Sequence, residues 1–118
     1  MAKRLQRNLE LLKILKNCKT KAQRRTVLKL ADKDLIKCVC DCAYNVLQGN
    51  VKMSKTKQAL LKRHGQKIRK FVDKKNRSGG LEKKREYLIQ DGGFLPALLA
   101  PIIGLAGGLI GDLVAGKL

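Results

Sequence analysis

Few side chains in this chain have site chemistry: four cysteines, Cys18, Cys38, Cys40 and Cys42, and a single histidine, His64. Cys38 and Cys42 stand four residues apart and share one face of a helix, while Cys40 points elsewhere. Thiolate and imidazole suit zinc, so a metal reading takes Cys38, Cys42, Cys18 and His64 as its ligands. Helical Cys-x-Cys-x-Cys is not the spacing of a zinc finger or ribbon, however, and no Cys-x-x-Cys pair accompanies it. The reading taken forward is therefore packing: buried thiols acting as small hydrophobes, with no metal and no cofactor. One histidine and nine acids leave no material for paired carboxylates or a nucleophile–histidine–acid array, which points away from an enzyme. An aromatic content of 3% with no Trp excludes the single-strand binders that stack bases on a sheet.

The chemistry the chain has in quantity is positive charge. Its 118 residues hold 27 Lys and Arg against 9 Asp and Glu, a formal charge of +18. Residues 1–91 carry 26 of the cations and 8 of the acids, so the whole excess lies there and residues 92–118 are neutral. A solvated helix face mixes signs, whereas residues 52–75 contain one acid, Asp73, and their self-repulsion calls for a polyanionic partner. The expected phosphate contacts are Arg24, Arg25, Lys29, Lys55, Lys57, Lys62, Arg63, Lys67, Arg69, Lys70, Lys74, Lys75, Lys83, Lys84 and Arg85. His64 sits in the same run and reads as a surface or phosphate-facing residue. No base-reading motif is present, so binding to double-stranded DNA is expected to be sequence-independent and strongly salt-dependent.

Helices must position these charges. Leu5, Leu9, Leu12 and Leu15, widened by Leu11 and Ile14, recur at helical spacing and predict a helix over about residues 3–18. Thr20 caps a second helix through Val27, Leu28 and Leu30. The broad apolar set Leu35, Ile36, Val39, Cys40, Ala43, Val46 and Leu47 predicts the central core helix over 34–47, with Gly49 as its left-handed stop. Ser54 caps the next segment, which Gly65 splits in two. Asn76-Arg77-Ser78-Gly79-Gly80 reads as a flexible linker and residues 81–90 as a short basic helix. No stretch alternates with period two, so the expected fold class is all-α: a small basic helical bundle, a linker, a short basic helix and an apolar tail. The corresponding divisions are 1–75, 76–93 and 94–118.

That tail runs from Phe94 to Ile110 without a charge, and its 17 residues would make a helix roughly 25 Å long against a hydrocarbon core of ~30 Å. Phe94, Leu95, Leu98, Leu99, Ile102, Ile103, Leu105, Leu109 and Ile110 are its candidate membrane or docking side chains. Pro96, Pro101 and the glycines at 104, 107, 108 and 111 weaken a helix in water but are tolerated in lipid. The alternative is that the same segment packs on the bundle as its last helix.

The passage from Gln90 to Gly104, a basic region ending in Gly92-Gly93 followed by an apolar run with two prolines, resembles the C-terminal part of adenovirus core protein X, the precursor of the mu peptide. Similar tails occur in the core-protein-like products of adintoviruses and Polinton (Maverick) elements. The resemblance covers about the last thirty residues, with likeness to the animal-element proteins also in Asp34-Leu35-Ile36-Lys37 and in residues 45–50. The N-terminal part differs from the short Arg-rich adenovirus peptide. The resemblance implies a virion core protein of the particle and the host nucleus that neutralises packaged double-stranded DNA. It also implies a maturation protease cutting after Gly92-Gly93, which coincides with the charge boundary.

The first reading is thus a DNA-condensing core protein whose hydrophobic C-terminal segment, released or exposed on maturation, meets a membrane or a capsid protein. The alternatives are a tail-anchored membrane protein with a polybasic cytosolic part, and a compact basic nucleic-acid-binding domain that buries its tail. The state of the tail separates the three.

Overall fold

Leu5, Asn8, Leu12 and Leu15 fall at intervals of three and four and form the inward stripe of the first helix, α1 (Ala2–Lys16). The computed structural model from which this architecture is taken describes residues 2–73 and 80–104. Among those residues every regular element is a helix, with no strand.

Helices α2, α3 and α4 each begin where the sequence supplies a cap. Thr20 opens α2 (Lys21–Leu30) with a capping box: the Gln23 amide donates to Thr20 Oγ1 at 3.1 Å, and the Thr20 amide donates to Gln23 Oε1 at 3.3 Å. Asp32 caps α3 (Lys33–Leu47) by accepting from the Leu35 amide at 2.9 Å. Ser54 does the same for α4 (Lys55–Arg63) through the Lys57 amide. Gly49, at φ +74°, turns the chain after α3, a conformation costly for any residue with a Cβ.

Helix α3 is the central core helix, burying Leu35, Ile36, Cys38, Val39, Cys42 and Ala43. The break expected at Gly65 falls at His64, between α4 and α5 (Gly65–Val72). Helix α6 (Gly80–Asp91) passes into a 3-10 turn at Gly92–Phe94, and the chain continues helical over 95–104. Pro96 sits in the first turn of that continuation, where a missing N–H is harmless, whereas Pro101 withholds a donor from the carbonyl of Ala97.

The core is one cluster fed by α1, α2, α3, α5, α6 and the stretch after the 3-10 turn, with a single side chain, Leu61, from α4. Phe94, Leu95, Leu98, Leu99 and Ile102 are fully buried in it. Phe71 of α5 stacks on Tyr87 of α6, ring centres 6.2 Å apart, and meets Phe94 at 6.1 Å. The bundle has a radius of gyration of 13.2 Å, close to the ~13 Å of a folded chain of about 100 residues.

The periodic reading of α1 needs one correction. Asn8 occupies the stripe, while Leu11 and Ile14 stand 40% and 50% exposed. Asn8 is polar but satisfied: its Nδ2 donates to the Arg4 carbonyl at 2.8 Å and to Asp34 Oδ2 at 2.9 Å. The segment 76–79 of the expected linker lies outside the described residues, as does 105–118.

Candidate nucleic-acid interface

Asp34 and Asp41 on α3, Glu10 on α1 and Glu82 on α6 hold ion pairs. Arg4 Nη1 lies 2.7 Å from Asp41, Arg4 Nε 3.1 Å from Asp34, and Arg7 Nη2 3.1 Å from Asp34, so two arginines of α1 are clamped by two aspartates of α3. With both guanidinium groups and the Asn8 amide donating to it, the Asp34 carboxyl is held at about 2, Arg7 contributing most. Lys13 pairs with Glu10 on α1, and Arg85 with Glu82 on α6.

Helix α4 takes part in none of these ion pairs. Lys52, Lys55, Lys57, Lys62, Arg63, Lys67, Arg69 and Lys70 are eight cations on a stretch with no acid until Asp73, and every one is exposed. Among the described residues no carboxylate pairs with Lys55, Lys57, Lys62, Arg63, Lys67 or Arg69. The folding of α5 explains its share: Gly65, Ile68 and Phe71 turn inward, which leaves Gln66, Lys67, Arg69 and Lys70 outside. Lys52, absent from the sequence-based set, extends the same strip and was signalled by the lack of any acid around it.

The other expected contacts divide. Arg25 and Lys29 on α2 and Lys83 on α6 are exposed but belong to a different helix pair, since α2 packs on α6. Lys74 and Lys75 lie outside the described residues. Arg24 and Lys84, expected on the phosphate-binding face, are instead buried. Arg24 Nη2 donates to the Ile89 carbonyl at 3.3 Å, and its Nε is buried without a partner. The Lys84 ammonium donates to the Phe71 carbonyl and lies 5.0 Å from the centre of the Phe71 ring. Half-buried Arg85 donates to the carbonyls of Leu28 and Ala31, closing the C-terminal end of α2. In each case the helix position is one that faces a neighbour, so the cation ends on a helix-end carbonyl rather than in solvent.

The cysteines do not build a metal centre among the described residues, where no group of three or more His, Cys, Asp or Glu side chains gathers. Cys38 and Cys42 share the buried face of α3, and their mutual hydrogen bond together with burial pushes the Cys42 thiol well up. Cys18 is buried with Sγ against the Ile14 carbonyl, and His64 is half-buried at the break between α4 and α5.

Gly92 is buried and Gly93 exposed within the 3-10 turn, beside fully buried Phe94. A protease needs extended backbone, so the intact fold does not offer this site. Of the apolar tail residues, Phe94, Leu95, Leu98, Leu99 and Ile102 are covered by the bundle, Ile103 is half-buried, and Leu105, Leu109 and Ile110 lie outside the described residues. No protein family, curated protein or solved structure matches the chain.

Proposed function

We propose that this protein binds double-stranded DNA through its phosphates, without reading sequence, and that α4 and α5 carry the contact. The supporting observation is the strip of exposed cations from Lys52 to Lys70, in a chain of charge +18 where Glu10, Asp34, Asp41 and Glu82 hold ion pairs on other helices and Asp32 caps α3. The likeness of residues 90–104 to adenovirus core protein X extends the proposal to a virion core protein that neutralises a packaged genome in the particle and the nucleus. In that setting a maturation protease acting at Gly92-Gly93 would reach its site only after local opening of the turn.

The test is the salt dependence of binding by the full chain. The logarithm of affinity should fall linearly with that of salt, at about 0.9 per phosphate neutralised. Replacing Lys62, Arg63, Lys67 and Arg69 together by Gln should flatten this slope and leave helicity unchanged. A slope the substitutions do not alter would move the contact away from α4 and α5.

A second reading, a membrane-anchored polycation, is favoured by one observation: Gly80–Gly104 is a helix of 25 residues, apolar enough to cross a bilayer by length and composition. Insertion would require Phe94, Leu95, Leu98, Leu99 and Ile102 to leave the core. Flotation of the folded protein with neutral vesicles would favour it; sedimentation away from them would not.

A further inference from the structure

Helix α4 is an anomaly in this bundle. Of its nine residues only Leu61 is buried, while α5, one residue shorter, buries three. It is held at its ends, by the Ser54 cap with Gln58 Nε2 donating to the Met53 carbonyl at 3.2 Å, and by the break at His64. Between these ties it stands out from the body, and it is well formed there without a packed partner on its outer side.

With Leu61 facing inward, the 3.6-residue repeat places Thr56, Ala59 and Arg63 along the opposite midline, at spacings of three and four. Leu60 lies beside them and is 42% exposed. Lys55 and Lys62 run along one flank, and Lys57 lies on the other side, nearer the body. Thr56 and Ala59 keep this front slim, Arg63 is the one long cation on it, and Lys55 and Lys62 lie to one side, none of α4's four cations being paired with a carboxylate among the described residues.

The geometry points to α4 as a groove helix: its outer face enters the major groove of duplex DNA, and its flanking lysines engage the phosphates. This rests on the DNA-binding reading above and adds to it the element and the groove. A helix with its side chains is about 10–12 Å across, and the major groove of B-DNA is ~12 Å wide. The base edges meet Thr56, Ala59 and Arg63, with Leu60 beside them, and one phosphate rail meets Lys55 and Lys62. Methyl groups of this kind contact thymine methyls but form no donor–acceptor code, and only Arg63 can make a bidentate contact to guanine. Groove entry therefore adds affinity with little sequence preference, as the proposed function requires.

The experiment uses the full chain and a mixed-sequence DNA duplex. Ala59→Tyr changes bulk at the exposed midline without changing charge. It should leave the circular dichroism spectrum and melting temperature as in the wild type, weaken binding by about tenfold, and keep the salt slope unchanged. In the wild-type complex, guanine N7 atoms in the major groove should be protected from methylation, whatever the fate of the variant. Wild-type affinity in Ala59→Tyr, or N7 atoms as reactive as in free DNA while the salt slope persists, would overturn the groove assignment and leave phosphate binding standing. A wild-type chain that fails to bind the duplex at low salt, or prefers anionic vesicles to it, would overturn both.

Discussion

Asp34 is the residue on which the α1–α3 contact turns, because Arg4, Arg7 and Asn8 all donate to it. Its folded value of about 2 lies below the ordinary carboxylate value near 3.9, so the folded state holds the charged form more tightly than the unfolded chain does. The stabilisation is present in full above the unfolded value and is lost as pH falls through about 2. Urea titrations from pH 6 downward should show stability declining on this acid limb, and Asp34→Asn should lower stability at neutral pH and make the limb shallower. Residues that act locally were legible in the sequence: Thr20, Ser54 and Gly49 do their work on neighbours within a few positions, and their types announce it. Arg24 and Lys84 were not. Their neighbours along the chain resemble those of any exposed cation, and only the packing of α6 against α2 and α5 decides that they are buried.

The stretch from α6 through the 3-10 turn shows how much an element can hide. The sequence places a boundary at Gly92-Gly93 because charge ends there, and the structure carries the chain through it in a helical path. The two glycines are not equivalent. A Cβ on Gly92 would lie 3.2 Å from Leu95 Cδ1 and 3.3 Å from Arg24 Nε, whereas one on Gly93 would meet nothing within 4 Å. Gly92→Val should therefore destabilise by about 1–3 kcal/mol in denaturant titration, through overpacking against a buried leucine and an arginine held by Ile89. Gly93→Ala should be neutral or slightly stabilising, since alanine favours helix by up to ~1 kcal/mol. The helical class and the core role of α3 could be read from apolar spacing alone. The burial of residues 94–102 could not, because an unbroken apolar run suits a lipid and a protein interior equally well.

For the whole molecule, the apolar segment separates the readings by what its removal does. Phe94, Leu95, Leu98, Leu99 and Ile102 are all fully buried. At about 1.5–3 kcal/mol for each large apolar side chain, their burial is comparable with the ~5–15 kcal/mol stability of an ordinary domain. A chain ending at Gly93 should therefore lose its cooperative thermal transition and near-native hydrogen exchange protection. If residues 1–93 instead melt cooperatively at the wild-type temperature, the segment contributes nothing to the core and is free for lipid or capsid. Charge works against the same fold: +18 on a particle of 13.2 Å radius of gyration is self-repulsive, and the exposed cations on α4 and α5 hold a share of that repulsion.

Lys84 and Arg85 close the ends of α5 and α2 from a helix that comes later in the chain than either. On the ribosome, the carbonyls of Leu28, Ala31 and Phe71 leave the exit tunnel before the side chains that will cover them. The nascent polypeptide consequently emerges as a basic, incompletely closed set of helices beside ribosomal RNA, and it can lock into its final form only when Ile102 has left the tunnel.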